Sequence, residues 1–178
     1  PPLAHQMTPT HKGTPLDATT TLAAPTRPGD FATGILGFGE RSHGGLTVNG
    51  TALLRGGPGW GKTVFALQTL VNAARSRNEA GIFVAFEETA KQIMADAAGF
   101  NWGLPTLTKN TLFFMEAQLS PEVVQAGAFD WKGLLAMLKA KKKEINARWL
   151  LFDGMDVLLT LRQTPRPEIG VVYRIRDL

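Results

Sequence analysis

The residues best suited to chemistry are the run Gly56-Gly57-Pro58-Gly59-Trp60-Gly61-Lys62-Thr63, which has the spacing G-x-x-x-x-G-K-[ST]. Glycines at these places let a loop wrap closely enough for successive backbone N–H groups to point at phosphate oxygens. The positive end of the helix that follows adds to the attraction. Gly56, Gly59, Trp60 and Gly61, running into Lys62, Thr63 and Val64, are therefore the candidate phosphate cradle. Lys62 supplies a point charge to the terminal phosphates of a nucleoside triphosphate, and the Thr63 hydroxyl is placed to ligate Mg²⁺. Trp60 is unusual in such a loop. Its indole must point away from the phosphates, leaving it to cover the nucleotide, pack on a neighbouring chain or lie on solvent.

Two further acidic sites complete the chemistry. Phe86 is followed by Glu87 and Glu88 at the end of an apolar run, and cleaving a phosphoanhydride needs a carboxylate that orients or deprotonates the attacking water. Adjacent residues on an extended backbone point in opposite directions, so only one of the two can face the nucleotide directly unless the strand has already ended. The run Trp149-Leu150-Leu151-Phe152 ends in Asp153. An aspartate there accepts a hydrogen bond from Thr63 and holds the metal from the other side, with Asp156 in reserve. The lysines at 141 to 143 close an amphipathic helix, where they complement its dipole rather than track a nucleic acid. His43 has no partner at ligand spacing and reads as a loop residue.

The elements that must hold these groups follow from hydrophobic pattern. Thr51 to Arg55 predicts a strand stopped by Gly56-Gly57, and Lys62 to Arg75 a helix with Val64, Leu67, Val71 and Ala74 on one stripe. Gly81 to Phe86 is nearly all apolar, as a strand covered on both faces should be. Ala90 to Phe100 predicts a helix, Thr111 to Met115 a strand, Phe129 to Asn146 a helix with Leu134, Leu135 and Leu138 inward, and Trp149 to Phe152 a strand. This alternation implies an α/β fold with a mostly parallel sheet and helices on both faces.

The 178 residues contain no cysteine, which excludes a disulfide scaffold and a Cys-ligated zinc site. The formal charge of +4 is too small a surplus to argue for nucleic acid. No apolar run reaches the ~18 residues of a bilayer span and no secretory leader opens the chain, so a cytoplasmic location is expected. Residues 1–30 hold Pro1, Pro2, Pro9, Pro15, Pro25 and Pro28 with few large aliphatics. Such a segment is expected to be a disordered leader to a domain spanning 31–178.

Taken together, Gly37-Phe38 with Ser42-His43-Gly44-Gly45-Leu46, the Gly56 to Thr63 loop, and Gly81 to Thr89 resemble the KaiC-like branch of the RecA superfamily of P-loop ATPases. Ala98 to Trp102, Phe152 to Leu159, and Val172 to Leu178 extend the likeness, the last looking like the helix after the second acidic site. The resemblance implies a RecA-like fold, an ATP·Mg²⁺ site at a subunit interface, a hexameric ring, and partners of signalling or circadian type. It makes Lys62 and Thr63 the phosphate and Mg²⁺ residues, Glu87 and Glu88 the catalytic pair, and Asp153 the Walker B aspartate. The Phe86-Glu87-Glu88-Thr89 form resembles the hydrolysing repeat of the clock protein, so ATP hydrolysis is expected and autokinase activity is not. Trp60 departs from the family's small residue or Thr, and Gly154 from its usual Ser or other small residue. The chain also stops before the C-terminal strands, the γ-phosphate sensor and the trans-acting basic residues, which leads us to expect poor turnover by this piece alone. Two other readings compete: a RecA/RadA-type DNA repair ATPase, separable by stimulation with single-stranded DNA, and a nucleotide-gated scaffold without useful hydrolysis.

Overall fold

The computed structural model describes residues 30–118 and 129–160. At its centre lie three parallel strands in the order β4-β3-β5: β3 (Gly81–Ala85), β4 (Leu112–Glu116) and β5 (Trp149–Asp153). Register aligns Gly81 with Leu112 and Trp149, and Ala85 with Glu116 and Asp153. All three strands therefore end at one level, and the acidic residues of β3's exit and β5's tip emerge side by side.

Alternation along the central strand builds two cores. Phe83 and Ala85 face Leu67, Leu70 and Val71 of α2 (Lys62–Arg77), with Ile93 of α3 (Ala90–Asp96) and Leu104 of α4 (Leu104–Asn110) joining the same cluster. Ile82, Val84 and Phe86 face the opposite way, against Leu134 and Leu138 of α5 (Trp131–Glu144). Every residue of β3 is buried, which is why its sequence shows no polar alternation. The expected α/β fold with a parallel sheet between helical layers is what this chain adopts.

At the far end from the strand tips, a short antiparallel pair joins β1 (Asp30–Phe31) to β2 (Leu46–Thr47), flanking the four-residue helix α1 (Phe38–Arg41). Phe31 is fastened there by the Trp149 ring at 4.0 Å and the Arg77 guanidinium at 3.6 Å. Glu79 ties the same corner together, accepting from Trp149 Nε1 at 2.7 Å and from Arg77 Nε at 3.2 Å.

Several boundaries differ from the sequence-based expectation. The largest correction concerns Thr51 to Arg55, which forms no strand: Leu53 and Leu54 are 61% and 46% exposed. Strand propensity is realised only through ladder partners, and no described residue pairs with this segment. The helix expected over Ala90 to Phe100 breaks after Asp96 and resumes as a 3₁₀ turn over Ala98–Phe100. Helix α4, with Pro105 in its first turn, and α6 (Met155–Thr160) were not read from the pattern. Val64 lies outside the buried stripe at 37% exposure, and Leu135 is half-buried where Leu134 and Leu138 are buried. Of the leader expected over 1–30, Asp30 belongs to β1, while residues 1–29, like the helix expected over Val172 to Leu178, lie outside the described residues. Among the described residues no helix is long and apolar enough to cross a membrane.

Candidate functional site

The loop from Gly56 to Gly61 enters α2 through two residues in the left-handed region, Gly59 at φ 74° and Gly61 at φ 75°. A Cβ at either would meet nothing within 4 Å, so backbone conformation rather than crowding demands glycine at both. Gly61 is the N-cap of α2, with no side chain capping it and no acidic residue in the first turn. The helix therefore begins with backbone N–H groups that no side chain claims, at the positive end of its dipole. Lys62, the first residue of the helix, turns its ammonium back onto the loop, donating to the Gly56 and Gly57 carbonyls at 3.0 Å each. Trp60 packs its indole over Gly56 and Gly57, and its other face is open, the residue being 79% exposed.

At the next residue, the Thr63 hydroxyl donates to Asp153 Oδ2 at 2.8 Å. This contact joins residues 90 positions apart and brings the start of α2 to the tip of β5. The same aspartate's carbonyl accepts the Phe86 N–H at 3.2 Å, so the exits of β3 and β5 are held together. A divalent cation with triphosphate oxygens fits this donor set. Hard cations of this kind take one or two carboxylates and a hydroxyl beside phosphate oxygens, and no group of three or more metal-ligating His or acidic residues exists among the described residues.

The strand ends at Ala85 and the chain bends over residues 86–88, so strand alternation does not set the two glutamates; their surroundings differ nonetheless. Glu87 turns toward Asp153, Asp156 and Lys62. Partial desolvation is the first reason its carboxyl sits above the ordinary glutamate range, followed by the negative charges of Asp156, Asp153 and Glu88, against which the Lys62 ammonium pulls down. Glu88 instead lines a cavity of about 180 Å³ with Thr63, Val64 and Leu67 on one wall and Ile93, Asp96 and Phe100 on the other. Val64 thus stands beside the loop, on the wall of that cavity.

The turn carrying both glutamates is pinned by residues that pattern reasoning missed. Gln118 Nε2 donates to the Glu87 carbonyl at 3.2 Å, and Glu116 Oε1 accepts the Ala90 N–H at 2.8 Å. Thr89 caps α3 by accepting the Gln92 N–H at 3.2 Å. The signal that could have found Glu116 was its place at the end of a strand parallel to β3. The other groups lie apart from the site. Lys141 bonds Glu144 at 2.7 Å and covers the Phe113 ring, in the last turn of α5 where positive charge suits the helix dipole. His43 sits in the turn after α1.

A family model described as "ATPase: KaiC" matches residues 31–170. The circadian clock oscillator protein KaiC of Parathermosynechococcus lividus is 38% identical over 128 residues, covering 71% of this chain and 24% of the relative. That of Parasynechococcus marenigrum is 36% identical over 155 residues, covering 82% and 30%. That of Thermosynechococcus vestitus is 35% identical over 153 residues, covering 81% and 29%. The chain spans 24% to 30% of the length of these relatives.

Proposed function

The chain belongs to the KaiC family of ATPases, and from that premise we propose that it binds ATP with Mg²⁺ at the loop before α2 and hydrolyses it to ADP and phosphate. The observation that carries the reading is the 2.8 Å bond from Thr63 to Asp153, which sets a hydroxyl and a carboxylate together at the mouth of a helix whose N-cap carries no side-chain hydrogen bond.

The roles follow from position. The backbone from Gly56 and Gly59 through Trp60, Gly61, Lys62, Thr63 and Val64 surrounds the phosphates. Lys62 exchanges its two loop carbonyls for phosphate oxygens. Thr63 and Asp153 hold Mg²⁺, which neutralises phosphate charge when bound. Glu87 and Glu88 form the catalytic pair. Glu87, nearer the ammonium and Asp153, takes a proton from the attacking water as the bond from γ-phosphorus to the bridging oxygen breaks and ADP departs. A carboxyl held above the ordinary glutamate range is a stronger base than a free one, which suits this task. Glu88 orients from the neighbouring cavity wall.

We further infer, from the family, a cytoplasmic hexameric ring in which nucleotide state sets ring conformation and the binding of signalling or clock-type protein partners. Phosphate release from Mg·ATP by the purified chain tests the central reading, with Glu87→Gln and Glu88→Gln as paired variants. A large loss of turnover, down to a small residual rate, with ATP binding retained is expected in Glu87→Gln. Turnover in that variant equal to wild type overturns the assignment of the base, and a chain that binds no Mg·ATP overturns the site.

A further inference from the structure

Gly154, immediately after Asp153, adopts φ 72°, a left-handed conformation that residues with side chains enter at a cost. Unlike the loop glycines, it is also crowded. A Cβ at this position would stand 2.8 Å from Glu87 Cγ and 3.2 Å from both Glu87 Cδ and Oε2. The Glu87 side chain therefore rests against the bare α-carbon of residue 154.

We propose that Gly154 is a positioning residue for Glu87, its missing side chain being the space in which the glutamate lies beside Asp153. The inference rests on the hydrolytic reading above. The backbone on either side cannot give way easily. Phe86 N–H is bonded to the Asp153 carbonyl at 3.2 Å, the Glu87 carbonyl receives Gln118 Nε2 at 3.2 Å, and Ala90 N–H is held by Glu116 at 2.8 Å. When a methyl group is added at 154, the Glu87 side chain must swing about its own χ1. The atom met first is Cγ, in the middle of the side chain, so the whole carboxylate moves. A displacement of that size at a reacting group costs rate rather than substrate affinity, because the phosphate cradle belongs to a different segment.

The test is a double-mutant cycle on the full chain, with single-turnover hydrolysis of Mg·ATP as the readout. Gly154→Ala is expected to lower the rate by roughly tenfold or more with KM within about twofold. In a Glu87→Gln background the same change is expected to cost less than about twofold, since a group acting only through Glu87 has nothing left to position. Gly154→Asn guards against simple misfolding: Asn tolerates left-handed φ while keeping the Cβ. Gly39→Ala, where a Cβ meets nothing within 4 Å, controls for a generic glycine effect. Equal losses in both backgrounds, or no loss for Gly154→Ala and Gly154→Asn in folded protein, overturn the proposal. The wild-type rate is measured first: a low rate above the protein-free blank, as expected of this piece, carries the comparison, whereas a rate no higher than the blank overturns the hydrolytic reading itself and is thereby told apart.

Discussion

Replacing Lys62 by alanine tests the phosphate cradle most directly. The ammonium makes two hydrogen bonds to loop carbonyls at 3.0 Å, with Lys62 half-buried. Binding of a triphosphate trades those carbonyls for anionic oxygens. A unit charge about 4 Å from another is worth about 4 kcal/mol at an effective dielectric near 20. Against this stands the loss of the carbonyl bonds, about 1 to 2 kcal/mol together once exposure to water is allowed for. The difference, about 2 to 3 kcal/mol, corresponds to a roughly 30- to 150-fold rise in Kd for Mg·ATP in Lys62→Ala. Titration calorimetry of the folded variant measures it, with circular dichroism confirming that secondary structure is unchanged. A Kd within about threefold of wild type would refute the assignment of Lys62 to the phosphates.

Other consequences are equally open to measurement. Asp153→Asn should shrink the gain in ATP affinity that Mg²⁺ confers by roughly tenfold while leaving affinity in EDTA nearly unchanged; an unaltered Mg²⁺ dependence argues against a metal role. Because the Glu87 carboxyl holds its proton more tightly in the folded chain than in the unfolded one, stability should fall as pH rises from the ordinary glutamate range through the raised value. Glu87→Gln should remove that decline and be the more stable form at neutral pH, with urea midpoints across the range as the check; superimposable pH profiles would contradict it. Glu79→Ala removes the acceptor of Trp149 Nε1 and the partner of Arg77 and Arg148 at a site where the side chain is 16% exposed. Its cost should be about 2 kcal/mol by urea unfolding, and a loss below about 0.5 kcal/mol would show that the corner is held by ring packing alone. Trp60→Ala, at an open position, should change stability by less than about 0.5 kcal/mol, and a larger loss would mean that the indole's contact with Gly56 and Gly57 braces the loop.

Much of this protein was legible from local pattern. The Gly56 to Thr63 run names its own conformation, since Gly59 and Gly61 sit at φ values that other residues avoid. The continuous apolar stretch at Gly81 to Phe86 announced a strand buried on both faces, and Gly81–Ala85 forms one, with Phe86 buried in the bend that follows. The pattern failed at Thr51 to Arg55, whose Leu53 and Leu54 looked like strand residues but remain exposed, because pairing is a property of neighbours rather than of the segment. It also missed α4, where Pro105 reads as a breaker yet occupies the first turn, a place with no intrahelical N–H bond to lose.

What the amino-acid sequence determined by itself is therefore the glycine-rich loop, the helix that follows it, and which polar and acidic residue types stand near them. These are short-range matters of dihedral preference and periodicity. Tertiary structure alone decided which carboxylates meet. Parallel register placed Ala85, Glu116 and Asp153 level, and that alignment let Thr63 reach an aspartate 90 positions away. It turned Glu87 toward Asp153 and Asp156 while Glu88 faced another wall, and it set Glu87 against Gly154. Contacts across such separations depend on how strands and helices pack, and no local preference encodes them.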